Sequence, residues 1–300
     1  MPTPIPHVTT IELRRETVPD FARYPFSIPA IATLELLTLH PSVTFFVGEN
    51  GSGKSTLLEG IAVALGLNPE GGSRNFNFST MHRASGHEPS PNEPSPHEAS
   101  AHEPGPAPED TPTAPPSPDD TAHHPTTNHS ALGDHLRIRR THRRDSDFWF
   151  LRAESFFNVA TEIDDLDRRG GGRPLINSYG GRSLHTLSHG ESFHALFNHR
   201  FSSGLYLLDE PEAALSPTRQ LAFLARLHDL VLQGAQFIIA THSPIIMAYP
   251  DALIYAFGPG PLAPVAYAET EHFRVTRDFL SHPERSLRVL MERPFMGAGE

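Results

Sequence analysis

Val43-Thr-Phe-Phe-Val-Gly-Glu-Asn-Gly-Ser-Gly-Lys-Ser-Thr56 is the stretch from which the fold can be read. Its first five residues are apolar, β-branched or aromatic, the composition of a strand buried on both faces. From Gly48 the chain follows the pattern G-x-x-x-x-G-K-[ST], and an amphipathic helix is expected from Ser55 to about Leu65, ended by Gly66. The physical reading is a phosphate cradle. Glycines let successive backbone N–H groups turn inward, Lys54 brings a mobile positive charge, and the Ser55 hydroxyl is placed to ligate Mg²⁺. The positive end of the helix dipole faces the same anion. Gly48, Glu49, Asn50, Gly51, Ser52, Gly53, Lys54, Ser55 and Thr56 are therefore the expected nucleotide contacts. A decorative glycine-rich turn would not need a strand before it and a helix after it.

Working outward, composition sets bounds. At 300 residues with 38% hydrophobic side chains, the chain holds enough apolar surface for a sizeable core. It contains no cysteine, which excludes disulfides and Cys-based zinc sites. No run approaches the ~18 apolar residues of a membrane span, and the N-terminal residues lack a signal-peptide layout. A cytoplasmic protein with no membrane partner is expected. The net charge of −11 is concentrated in residues 84–135, which hold nine acidic residues and no Lys or Arg, so the rest of the chain is nearly neutral. That segment also holds twelve of the 30 prolines and four pentapeptide copies from His87 (HEPSP, NEPSP, HEASA, HEPGP). Proline at this density forbids a helix or a central strand. We expect a disordered Pro/His/Glu-rich insertion at 84–135 within a single domain formed by 1–83 and 136–300. Lengthening a loop from ~5 to ~50 residues costs only about 2 kcal/mol of closure entropy. Directly after it, Leu136–Arg144 carries five arginines in nine residues. This reads as a solvated strand or the electrostatic partner of the acidic segment in preference to a nucleic-acid contact, because no aromatic residues are interleaved for stacking.

Downstream, Gly204-Leu-Tyr-Leu-Leu208 is a buried-strand run ending in Asp209-Glu210-Pro211. An acid at the C-terminal end of a strand beside the phosphate-loop strand suits a second Mg²⁺ contact, which is Asp209. Glu210, one position on, suits a general base for a water attacking a γ-phosphate. Phe237-Ile-Ile-Ala240 is a further strand, followed by Thr241-His242, where a His can reach a γ-phosphate oxygen. Upstream, Ser188 reads as the cap of a helix running through Phe193 to Phe201, and Gly190 permits close backbone approach. A second anion-binding helix makes sense if it serves the nucleotide of another subunit.

Gly48–Thr56, Leu187-Ser-His-Gly-Glu191, the strand to Asp209-Glu210, Glu212-Ala-Ala-Leu-Ser216 and Thr241-His242 resemble, in order and kind, the Walker A, signature, Walker B, D-loop and H-loop of ABC-class ATPases. Within that class the chain is similar to the heads of structural-maintenance-of-chromosomes (SMC) and RecF-type ATPases, and to small bacterial AAA-family ATPases. The resemblance implies an α/β P-loop sandwich with a mainly parallel central sheet, antiparallel N-terminal strands and a helical subdomain carrying the signature. It also implies an ATP hydrolase, with Lys54, Glu210 and His242 catalytic, Ser55 and Asp209 on Mg²⁺, and Ser188 and Gly190 reaching the ATP of a partner copy in a homodimer. Two departures stand out. His189 and Glu191 replace Gly and Gln of the usual signature, and there is no Gln before Gln220, so Glu154 is the candidate for the missing Gln.

Two other functions are compatible with these motifs. One is a nucleotide-gated module that binds DNA or another protein; the other is a transporter's nucleotide-binding subunit, disfavoured by the same departures. A long-armed chromosome protein is excluded, because Lys54 and Asp209 are 155 residues apart with no heptad repeat between them. Tyr24 and Phe26 are candidates either for stacking on a base or for the core. The tail 266–291 reads as amphipathic helix, with Phe273, Leu280, Leu287 and Leu290 expected in the core.

Overall fold

A computed structural model describes residues 5–73, 131–143, 147–152, 156–169, 177, 181, 183–186 and 189–292. All of them belong to one unit, 1–78 and 129–300; the second unit, 79–128, lies outside the described residues. In chain order the elements are β1 (Val8–Leu13), α1 (Pro29–Ala32), β2 (Leu36–Thr38), β3 (Val43–Val47), α2 (Lys54–Ala64), β4 (Gly72–Ser73), α3 (Ala131–Asp134), β5 (Leu136–Arg140), β6 (Asp147–Arg152), α4 (Phe156–Arg169), α5 (His189–His199), β7 (Gly204–Asp209), α6 (Pro217–Leu232), β8 (Gln236–Ala240), α7 (Pro244–Met247), β9 (Leu253–Ala256), β10 (Ala263–Pro264), α8 (Glu271–Ser281) and α9 (Pro283–Glu292).

The central sheet has the order β10-β9-β3-β8-β7-β6-β4. From β9 to β6 every neighbouring pair is parallel, and the two short edge strands β10 and β4 are antiparallel. Every residue of β3, β7 and β8 is buried, which is why these strands read as unbroken apolar runs instead of alternating ones. The pleat still sorts them. Val43, Phe45 and Val47 face a core shared with α5, α6 and α7, whereas Phe46 faces one built from α1, α2, α3 and the small sheet.

That small sheet, β2-β1-β5, is antiparallel throughout, as expected for the N-terminal strands. It is fastened to the central sheet by Gln236, whose amide is only 1% exposed. Its Oε1 accepts from His7 N (2.8 Å) and Val8 N (2.9 Å), and its Nε2 donates to the carbonyls of Val8 (2.8 Å) and His40 (2.9 Å). All four hydrogen-bonding positions of the amide are used, so burying it carries no desolvation penalty left unpaid by a partner.

The arginine run after the acidic segment serves β5 and its neighbours. Arg137 pairs with Glu12 at 3.3 Å, Arg140 lies over the Phe148 ring at 4.6 Å, and Arg143 donates to His7 Nε2 (3.1 Å) and to the Gly234 carbonyl (2.9 Å).

Two expectations are corrected. Residues 131–134, inside the segment expected to be an insertion, form α3, which docks on α2 because Leu132 is fully buried against Gly60. The tail forms α8 and α9 as an amphipathic pattern requires, but most of its apolar residues are not core. Leu280 is 69% exposed, Leu287 40% and Leu290 66%, and Phe273 alone of the four packs in part, against Tyr267. Phe26 is a core residue at 3% exposure, whereas Tyr24 is exposed and its hydroxyl lies 3.3 Å from Thr56 Oγ1. No helix among the described residues is long and apolar enough to cross a membrane.

Candidate nucleotide site

Parallel register brings the motifs together. Phe46 pairs with Ala240, Ala240 with Asp209, and Asp209 with Arg152. The C-terminal ends of β3, β8, β7 and β6 thus form one edge, and the segments leaving them are the phosphate loop, Thr241-His242, Asp209-Glu210 and Arg152. In open parallel sheets this edge is where ligands bind.

The loop between β3 and α2 borders a cavity of about 510 Å³ formed by residues 48–52 with Pro29, Phe257 and Glu271. Two of its glycines are required by the space around them. A Cβ on Gly48, at φ +148°, would meet the Phe257 carbonyl oxygen within 2.3 Å; one on Gly53, at φ +100°, would meet Ile28 Cγ2 within 2.6 Å. Gly53 is also the residue before α2, so the helix N-terminus opens directly onto the loop. Lys54 is buried, and its Nζ donates to the carbonyls of Gly48 and Glu49, each at 2.8 Å. Burial lowers its pKa, while Glu210, Asp209 and Glu212 oppose that shift by favouring the ammonium.

Ser55 Oγ donates to Asp209 Oδ1 at 2.9 Å. A hydroxyl and a carboxylate so joined at the head of a helix form a hard-oxygen pair of the kind Mg²⁺ takes, so the residues fit that cation. The other Asp209 oxygen faces Arg152 Nε at 3.6 Å, and Arg152 Nη1 contacts Glu59 Oε2, on α2, at 2.9 Å. This Glu59–Arg152–Asp209 chain was not anticipated. In the sequence Glu59 is one more polar position on a helix, and it takes the fold to bring it to Arg152 at the end of β6.

Glu210 follows with its backbone in the left-handed region (φ 51°, ψ 54°), a conformation that costs a non-glycine residue about 1–2 kcal/mol. Its N–H donates to the Ala240 carbonyl at 2.9 Å, which holds the turn against β8. The carboxylate is part-exposed, with Oε1 3.5 Å from His242 Nε2. His242 is held at two further points. Its N–H donates to Glu212 Oε1 (2.5 Å), and its Nδ1 lies 2.9 Å from Nε2 of His272, on α8. Burial raises the Glu212 pKa above the ordinary carboxylate range, against the hydrogen bond from His242 N–H. Burial first and Lys54 second lower that of His242, opposed by Glu210.

Gly190 is buried near the start of α5. A side chain there would collide first with Arg219 and then, at 2.7 Å, with the Ala214 carbonyl. Its neighbours are therefore α6 and the turn that follows Glu210. Glu154 and Ser188 lie outside the described residues.

Two family models match segments of this chain. The family model described as "AAA domain" matches residues 28–99, around the phosphate loop. A second, described as "AAA domain, putative AbiEii toxin, Type IV TA system", matches residues 195–248, from the second half of α5 through His242. No curated protein gives a significant match. Among solved structures, the SMC head domain from Thermotoga maritima is 14% identical with a TM-score of 0.39, covering 87% of this chain and 99% of that one. The cbiO1 protein from Clostridium perfringens, part of the ABC transporter complex cbiONQ, is 15% identical with a TM-score of 0.41, covering 96% and 100%. Both halves of the site thus match AAA-domain family models, one around the phosphate loop and one through the acidic strand end that Ser55 contacts.

Proposed function

We propose that the chain binds ATP with Mg²⁺ and hydrolyses it, two copies closing on the nucleotide. The observation that carries this is the 2.9 Å bond from Ser55 to Asp209, made beside Lys54, Glu210 and His242 on one sheet edge. The N–H groups of residues 48–56 cradle the phosphates, and Lys54 exchanges its two carbonyl acceptors for β- and γ-phosphate oxygens. Ser55 and Asp209 hold Mg²⁺, which when bound neutralises charge on the phosphate oxygens. Glu210 orients the attacking water and takes its proton as the water oxygen bonds to the γ-phosphorus. The bond from that phosphorus to the β–γ bridging oxygen breaks, and ADP leaves. His242 donates from Nε2 to a γ-phosphate oxygen. Such catalysis is mostly positioning and fixed charge, which suits groups mounted on strand ends. Ser188 and Gly190 of one copy complete the site of the other, and Glu154 serves in place of the missing Gln. The protein acts in the cytoplasm.

Steady-state ATPase assays and light scattering test this together. Glu210→Gln should bind ATP, turn over at least ~100-fold more slowly and run as a dimer only with ATP; Lys54→Ala should neither dimerise nor hydrolyse. Undiminished turnover in Lys54→Ala would refute the hydrolase, and a monomeric, ATP-loaded Glu210→Gln would refute the shared site.

A second reading, a nucleotide-gated module with little hydrolysis, draws on the exposed apolar residues of α8 and α9. They favour a protein partner over DNA, since Arg137, Arg140 and Arg143 are engaged within the fold.

A further inference from the structure

We propose that His272 is a positioning residue that sets the tautomer of His242, holding a proton on Nε2 for donation into the site. The two rings meet with their centroids 5.1 Å apart and planes at 62°, and the single close approach is Nδ1 of His242 to Nε2 of His272 at 2.9 Å. Two ring nitrogens at that distance share one proton. Either His242 donates from Nδ1, leaving a bare lone pair at Nε2, or His272 donates, leaving His242 protonated at Nε2.

The surroundings of His242 decide between these. Its Nε2 is buried and has no hydrogen-bond partner among the described residues, and the nearest polar atom recorded for it is a Glu210 carboxylate oxygen at 3.5 Å. A carboxylate oxygen accepts; a lone pair facing it would be repelled, whereas an N–H is attracted. His272 must then be the donor. Burial and the charge of Lys54 lower the pKa of both rings, which keeps them neutral and preserves the N–H···N bond. The main chain of His242 is fixed independently through Glu212, so what His272 adds is ring orientation and proton placement. An unsatisfied buried donor aimed at Glu210 is then explained as one awaiting an anionic oxygen.

The catalytic consequence rests on the hydrolase reading; the tautomer itself does not. Protein labelled with ¹⁵N-histidine is examined by two-bond ¹H–¹⁵N correlation, the His242 signals being assigned by their loss in His242→Gln. Wild type should show His242 protonated at Nε2 and unprotonated at Nδ1. His272→Gln, whose amide still donates, should keep that pattern, and His272→Met, of similar length with no donor, should shift it toward the Nδ1–H form. In turnover, His272→Met should lower kcat about 10–100-fold, by analogy with the loss seen when partners that orient metal-ligating histidines are removed, with KM nearly unchanged, while His272→Gln recovers most of kcat. A wild-type His242 protonated at Nδ1, or an unaltered tautomer in His272→Met, would overturn the proposal. Should the wild type show no hydrolysis while the tautomers behave as stated, the hydrolase reading fails and the role of His272 stands.

Discussion

Substituting Gly60 by Ala should destabilise the protein when Leu132 is present and stabilise it when Leu132 is cut to Ala. Gly60 lies in the middle of α2, the helix whose first turn carries Lys54 and Ser55, and its α-carbon faces α3. A methyl group added there would sit 2.8 Å from Leu132 Cδ2, 2.9 Å from Cγ and 3.2 Å from Cβ. The opposing contact is as close: a Cβ on Gly133 would lie 2.6 Å from Val63 Cγ1.

Two effects compete. Replacing Gly by Ala inside a helix gains about 1 kcal/mol, and overfilling a packed contact costs about 1–3 kcal/mol. The clash wins or draws, so Gly60→Ala alone should cost about 0–2 kcal/mol. Leu132→Ala alone should cost about 2–5 kcal/mol, because that side chain is fully buried. In the double variant the new methyl enters vacated space and the helical gain is kept, giving a coupling of about 1–3 kcal/mol in favour of the pair. Equilibrium urea unfolding of the four proteins measures this, with unchanged m-values showing that the exposed surface on unfolding is the same. The sign is the sharp test. If α3 did not dock on α2, Gly60→Ala alone would stabilise and the coupling would fall within ~0.5 kcal/mol of zero, refuting the placement.

Arg152→Met should destabilise by about 2–4 kcal/mol in denaturant titrations, since it leaves the carboxylates of Glu59 and Asp209, 6% and 8% exposed, without their shared cation. Gly53→Ala should weaken binding of a fluorescent ATP analogue at least ~10-fold with little change in circular dichroism, because the added methyl has both a φ of +100° and Ile28 against it. His7, pushed down to about 4 by burial and then by Arg143, makes stability depend on pH. Because the unfolded imidazole takes up a proton near 6.5 and the folded one only near 4, stability is full above pH 6.5 and falls toward pH 4. The loss should be about 1–3 kcal/mol, read from urea midpoints, and His7→Gln should flatten that part of the curve.

The phosphate loop, the acidic strand end and His242 were legible because each is a local pattern: a glycine spacing, or a polar residue closing a buried run. The order of parallel strands then brings them to one edge without further information. Other parts of the site depend on partners far apart in the chain. Arg152 meets Glu59 across 93 residues and His272 meets His242 across 30, and nothing in either neighbourhood marks the meeting. α3 escaped because a four-residue helix has no period to read, and its evidence is a single buried leucine. The tail shows the converse. A 3.6-residue pattern establishes that one face of α8 and α9 is apolar, but whether the fold covers that face is a tertiary matter, and here much of it is left to solvent.

The saturated amide of Gln236 has a use in watching the protein work. The N–H groups of His7 and Val8 end on that side chain, which belongs to the other sheet. Their protons can exchange with water only when the two sheets part at this seam or the strand peels away. Two backbone resonances thereby become a strain gauge. Followed as nucleotide is added, they would report whether the small sheet rides rigidly with the candidate nucleotide site or breathes against it.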